Sequence, residues 1–162
     1  QKGQETVKQN SNGWWYIGTD GKVDFHKNTV APNEYGWWAV RNGAVDFQLN
    51  GIASNESGDW YCRGGQVDFG AAGVLESETE GFCGWYYIQN GCVQKGQETV
   101  VQNSSGWWYI GTDGKVDFGF SGIASNENGT WYIENGKVNF TYSSTYEDEN
   151  GRIYDIKSGN VA

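Results

Sequence analysis

The chain has 162 residues, enough for one ordinary domain, and a formal net charge of −9 that argues against phosphate-backbone recognition, since its lysines are scattered about one per repeat rather than clustered. No apolar run approaches bilayer length, so membrane insertion is not expected. With 9 Trp, 10 Tyr and 25 Gly against one Pro and no Met, aromatic rings must supply much of the buried area, and long helices are not expected.

Gln1 opens inside a string that recurs later, with no leader before it, so the sequence reads as a piece of a longer protein. Gln1 to Phe25 returns from Gln94 to Phe118 with only Lys8 replaced by Val101 and Asn12 by Ser105, the mark of a duplicated block. A shorter period lies beneath it. The second aromatic of each unit falls at Trp15, Trp38, Trp60, Tyr86, Trp108 and Trp131, with Ile153 as a degenerate seventh, a spacing of 22 to 26 residues that fits a small solenoid repeat.

Period-two patterning on either side of a turn predicts a β-hairpin in each unit, near 14–25, 37–47, 59–69, 85–95, 107–118, 130–140 and 152–161. In WYIENGKVNF, Asn135-Gly136 suits a two-residue type I′ turn, which pairs Glu134 with Lys137, Ile133 with Val138, Tyr132 with Asn139 and Trp131 with Phe140. Trp131, Ile133, Val138 and Phe140 then share an apolar face, and Tyr132, Glu134, Lys137 and Asn139 the other. The units starting at Trp14 and Trp107 carry a three-residue Thr-Asp-Gly loop, with Gly21 or Gly114 in the left-handed position. About nine connecting residues separate the hairpins, each with a Val or Ile expected to plug the gap between neighbours. An isolated hairpin is marginal, so the units are expected to stack. The fold class is thus all-β, a solenoid or superhelix of about seven hairpins forming a single repeat domain over 1–162.

SGIASNENGTWYIENGKVNF resembles the choline-binding and glucan-binding cell-wall repeats of Gram-positive bacteria, and more closely still the WWYxxNGKVDF repeats of clostridial surface proteins. The resemblance covers nearly the whole chain. It implies non-covalent attachment to surface polymers or glycans from the extracellular face of a bacterial cell. One departure concerns choline: the Trp that follows Thr-Gly in the choline-binding pattern and walls its cage corresponds here to Ile52 and Ile123, or to Val7, Val30, Val74 and Val100, which puts sugars ahead of choline.

By strand alternation Trp15 points into the stack, while Trp14 lies on the outer face beside Tyr16 and across from Asp24. The same outer set recurs as Trp107, Tyr109 and Asp117, and in weakened form as Trp37, Ala39 and Asp46, or Trp85, Tyr87 and Gln94. An indole beside a phenol and a carboxylate offers an apolar platform to a sugar ring and acceptors to its hydroxyls; it also suits a quaternary ammonium. The competing structural reading is that each outer ring is covered by the next hairpin. Asp59 and Thr130 replace the outer Trp in the third and sixth units, so folding does not require that ring in every unit.

Catalysis is not expected, because Asp24, Asp46, Asp68 and Asp117 repeat in register, whereas a glycosidase needs one asymmetric carboxylate pair. His26, the only histidine, reads as a solvated loop residue. The acidic run Thr145 to Asp155 lacks calcium-loop spacing and reads as a connection between hairpins. Of the three cysteines, Cys62 occupies the core position of Ile17, and Cys83 and Cys92 lie too far apart along extended chain to bridge.

The sequence therefore reads as a non-catalytic surface module that binds a glycan or cell-wall polymer, needs no cofactor or metal, and uses weak multivalent sites at Trp14, Tyr16, Asp24, Trp37, Trp85, Tyr87, Trp107, Tyr109 and Asp117. Choline binding, and a spacer or adhesin that contacts a host surface protein, are the alternatives.

Overall fold

The computed structural model describes residues 3–162; Gln1 and Lys2, with which the expected repeat domain begins, lie outside the described residues. The described chain is all-β, and among the described residues no helix is long and apolar enough to cross a membrane.

Each repeat uses its aliphatic-rich connector as a strand. The first repeat has β1 (Thr6–Asn10) and β2 (Gly13–Ile17), closed by an Ile17–Val23 bridge. The second has β3 (Thr29–Asn33), β4 (Gly36–Arg41) and β5 (Ala44–Val45), and the third β6 (Gly51–Asn55), β7 (Gly58–Arg63) and β8 (Gln66–Val67). The fourth has β9 (Gly73–Thr79), β10 (Phe82–Gln89) and β11 (Cys92–Val93). The fifth has β12 (Thr99–Asn103) and β13 (Gly106–Ile110), closed by an Ile110–Val116 bridge. The sixth has β14 (Gly122–Asn126), β15 (Gly129–Glu134) and β16 (Lys137–Val138), and the seventh β17 (Ser144–Glu147), β18 (Ile153–Lys157) and β19 (Asn160–Val161).

The expected Asn-Gly hairpin is present, with Ile133 opposite Val138 and Glu134 opposite Lys137. Asn135 and Gly136 take φ of 51° and 78°, both positive as a type I′ turn requires. Gly21 and Gly114 take 81° and 82° in the longer loops, as expected. Connector aliphatics such as Val7, Val30 and Val100 are buried between repeats as expected, but the connector is a strand rather than a loop. It is the outer strand of a longer hairpin, with β14 paired to β15 from Gly122–Ile133 to Asn126–Gly129. Thr-Val and Ile-Ala-Ser segments suit this half-buried pleated edge. The acidic run at 145–155 is not a connection between hairpins but most of the β17–β18 hairpin itself, with residues 148–152 as its turn, where Asp148 Oδ1 accepts the Asn150 and Arg152 amides at 2.9 Å.

Successive repeats are joined through the short third strand. Ala44 pairs with Trp15, Gln66 with Trp38, Cys92 with Trp60, Lys137 with Trp108 and Asn160 with Trp131. The amide after each Trp donates to a turn glycine carbonyl of the next repeat, as in Tyr16 to Gly43 and Tyr109 to Gly136, both 2.8 Å. Glycine is needed at that turn for room as well as for φ: a Cβ on Gly43 would lie 2.3 Å from the Asp24 carbonyl oxygen, and one on Gly136 2.5 Å from that of Asp117.

The chain divides into two compact units, one running to Ala72 and adding 76–83 and 88–93, the other comprising 73–75, 84–87 and 94–162. Within each unit the core is a series of inter-repeat layers. In the first, Val7, Tyr16, Ala31, Val40 and Val45 form one layer, and Val30, Ala39, Leu49, Cys62 and Val67 the next. In the second, Val100, Tyr109, Ala124, Ile133 and Val138 form the corresponding layer. Cys62 is fully buried, as its alignment with Ile17 implies, and burial pushes its thiol up to about 12.

Candidate functional site

The nine indoles are all partly buried, and their arrangement overturns the expectation of one buried face and one free face. Strand alternation holds, yet a stacked hairpin has a neighbour on each side, so both faces are used. Tyr16 and Tyr109, placed on the outer face by parity, are 3% and 5% exposed and sit in the layer shared with the following repeat. Conversely the phenylalanines assigned to the inner face emerge at the rim: Phe47, Phe69, Phe118 and Phe140 are 45–48% exposed and Phe25 is 59%.

What forms between repeats is a three-ring set. The first Trp of one repeat packs on the second Trp and the Phe of the next. Trp14 lies 5.1 Å from Trp38 and 5.7 Å from Phe47, and Trp37 lies 5.1 Å from Trp60 and 5.7 Å from Phe69. In the second unit, Trp85 lies 5.5 Å from Trp108 and 6.2 Å from Phe118, and Trp107 lies 5.0 Å from Trp131 and 6.0 Å from Phe140. The rings meet tilted or edge-to-face, the favoured geometry for aromatic quadrupoles, and each set leaves its Phe half in solvent.

Asparagine orients the second Trp, a role that strand alternation does not assign. Asn10, Asn33, Asn55, Asn103 and Asn126 accept the Nε1–H of Trp15, Trp38, Trp60, Trp108 and Trp131 at 2.9–3.1 Å. The same Oδ1 accepts a turn amide two residues on, an Asx turn, as Asn126 does from Asn128. The side-chain amides of Asn55 and Asn126 donate back to the Val30 and Val100 carbonyls of the preceding repeat at 3.1 and 2.9 Å. The signal in the sequence is the constant five-residue interval from Asn to Trp.

The expected Trp, Tyr and Asp clusters are split. Tyr16 and Asp24 line one open groove with Glu5 and Phe25, and Tyr109 and Asp117 line its counterpart with Glu98 and Phe118, while Trp14 and Trp107 border neither. Burial, followed by a hydrogen bond with Glu98, pushes the Tyr109 hydroxyl up to about 12; the same causes, with Glu5, raise Tyr16. The repeated aspartates have a backbone task. Asp24 Oδ1 accepts the His26 amide at 2.9 Å, Asp46 that of Gln48 at 3.0 Å and Asp117 that of Gly119 at 2.8 Å, turning the chain into the next repeat. Asp68 does the same and also accepts Arg63 Nε at 2.7 Å, which holds its carboxyl below the usual range.

Trp37 belongs to the second three-ring set, Trp85 to the third, and Tyr87 packs with Trp85 against Ile110 and Val116. Where the first Trp is missing, a cross-strand polar pair replaces it: Asp59 is bonded to Ser54, and Thr130 to Ser125 at 2.9 Å. Among the described residues no three of His, Cys, Asp and Glu are gathered so as to hold a metal.

A stacked-hairpin array with recurrent exposed aromatic sets defines a binding module assembled from repeats. The choline-binding repeat pattern matches residues 27–46, 50–68, 84–94, 98–117 and 119–139, more than half of the sequence, and the chain belongs to that family. No curated protein sequence matches it. Among solved structures it is similar to choline binding protein F from Streptococcus pneumoniae in the presence of a tetrasaccharide-pentapeptide peptidoglycan analogue, at 16% identity over 100% of this chain and 52% of that one, TM-score 0.41. It is also similar to an alternansucrase in complex with isomaltononaose, at 14% identity over 98% and 12% of the chains, TM-score 0.47. A third is the Cpl-1 endolysin with a peptidoglycan analogue, at 18% identity over 97% and 39%, TM-score 0.36. The chain spans about half the length of the streptococcal structure.

Proposed function

We propose that this chain is a non-catalytic attachment module that holds the protein carrying it to a cell-wall polymer or glycan on the outside of a Gram-positive cell. The observation that carries this reading is the recurrence of the three-ring set, twice in each compact unit, with a half-exposed Phe at each rim. Side chains whose only task was core packing would not leave the same large ring in solvent in five of seven repeats. Each set offers a modest apolar contact, and a polymer that spans several sets gains by multivalency.

Choline substituents on such a polymer are the second reading, favoured by one contact inside the chain: the Lys137 ammonium lies 5.0 Å from the centre of the Trp108 ring, so a ring of the strip already accepts a cation. Titration of tryptophan fluorescence with choline, with a soluble peptidoglycan fragment and with neutral oligosaccharides tests both readings. Saturable quenching by at least one of them is expected. A flat response to all three, with binding to immobilised host proteins instead, would replace this reading by that of an adhesin.

A further inference from the structure

Two grooves, each sharing one Trp with a three-ring set, have the same construction in the two compact units. In the first unit a groove of about 390 Å³ is floored by Thr29, Val30 and Trp37 and walled by the turn Asn55-Glu56-Ser57 of the next repeat. In the second, a groove of about 350 Å³ is floored by Thr99, Val100 and Trp107 and walled by Asn126-Glu127-Asn128. Pro32 and Gln102 occupy the same place, each paired across the strand with the floor Trp. The walls are fixed rather than loose: Asn55 and Asn126 donate to the Val30 and Val100 carbonyls and hold the turn against the floor.

Neither of the other Trp-bearing junctions repeats this. Over Trp14 the turn residue equivalent to Ser57 is Tyr35, whose ring lies 6.1 Å from Trp14 and covers it. Beside Trp85 the corresponding turn is Asn103-Ser104-Ser105, without a carboxylate.

We infer that the Trp37/Glu56 and Trp107/Glu127 grooves are two equivalent subsites for a neutral hexopyranose unit of the polymer. The inference rests on the attachment reading above and adds a sugar site that shares one ring with an aromatic set and takes its polar wall from the next repeat's turn. A pyranose places its C–H face on an indole and its hydroxyls on amides, hydroxyls and a carboxylate, which is the inventory of both grooves. A quaternary ammonium has no hydroxyl to donate to the carboxylate and none to accept from the amides of either wall, so it would leave most of that inventory unused. Glu56, Glu127 and the chain charge of −9 oppose a phosphate or an acidic sugar, and Lys27, which also lines the first groove, is ion-paired with Glu5 at 3.8 Å.

The test uses the full chain labelled with 15N, titrated with chitotetraose and with isomaltohexaose to about 10 mM each, a range that reveals weak sites. The Trp37 and Trp107 indole resonances and the Glu56 and Glu127 amides should shift saturably with at least one of the two, and choline should not displace it. Glu56→Gln and Glu127→Gln are surface changes that keep the shape, and each should weaken binding at its own groove by about tenfold or more, the worth of one charge-assisted hydrogen bond. Indole shifts of Trp37, Trp107, Trp60 or Trp131 without shifts of the Glu56 and Glu127 amides, or groove shifts unaltered by both variants, overturn the subsites and leave the attachment reading standing. No shift with either oligosaccharide, alongside tight binding to whole cell walls, also overturns the subsites alone. No binding to sugars, choline or cell walls removes both.

Discussion

At the scale of single residues, asparagine and tyrosine rather than tryptophan set the geometry. Asn126 serves three partners at once, the Trp131 indole, its own turn amide and the Val100 carbonyl. Replacing it with alanine should cost about 2 kcal/mol, because the partly buried Trp131 indole N–H and Val100 carbonyl lose their partner, and chemical denaturation of Asn126→Ala would measure it. Tyr109 gives a pH prediction. Its folded pKa, about 12, is above the ordinary tyrosine value near 10, so its contribution to stability is complete below about pH 10 and is lost as pH rises through about 12. Absorbance titration should show Tyr16 and Tyr109 ionising after the exposed tyrosines, and Tyr109→Phe should flatten the alkaline loss of stability. The type I′ glycines and the buried Cys62 were legible in the sequence, since turn chemistry and period-two alignment are local properties. The burial of Tyr16 and Tyr109 was not, because alternation sorts side chains into two faces without saying what covers each.

At the scale of the element, the repeat is a three-stranded unit in which the longer hairpin comes first. The sequence revealed the Asn-Gly hairpin at Asn135-Gly136 and hid the other, although Asn128-Gly129 marks its turn too, because its first strand reads as one aliphatic followed by polar residues. The same geometry separates two kinds of glycine that share a positive φ. A Cβ added at Gly21 would meet nothing within 4 Å, whereas one on Gly136 would meet the Asp117 carbonyl of the preceding repeat at 2.5 Å. Gly21→Ala should therefore cost about 1–2 kcal/mol for the left-handed backbone alone, and Gly136→Ala about 3 kcal/mol or more as the repeats are pushed apart. Thermal melts of the two variants separate the contributions; equal losses would mean that the turn does not dock as described.

At the scale of the whole molecule, the aromatic surplus has a single explanation. Rings pack between repeats, where a small hairpin has too little aliphatic side chain to make a core, and the same rings surface at the rim, where a polymer can touch several in succession. The number and spacing of repeats, and the kinship with cell-wall-binding repeats, were readable from periodicity and motif. The makeup of each contact set was not, since Trp14 meets Trp38 and Phe47 only through stacking of residues more than twenty positions apart. An uncharged ligand would also leave binding nearly independent of salt despite the net charge of −9, which titration at low and high ionic strength can check. The most direct test is co-sedimentation of the chain with purified Gram-positive cell walls, comparing it with a variant in which Phe47, Phe69, Phe118 and Phe140 are all changed to Gln. Because these rings are 45–48% exposed, the variant should still fold by circular dichroism, and its affinity should fall by more than about tenfold. A folded variant that sediments as well as the parent would contradict the assignment of the aromatic rim as the binding surface.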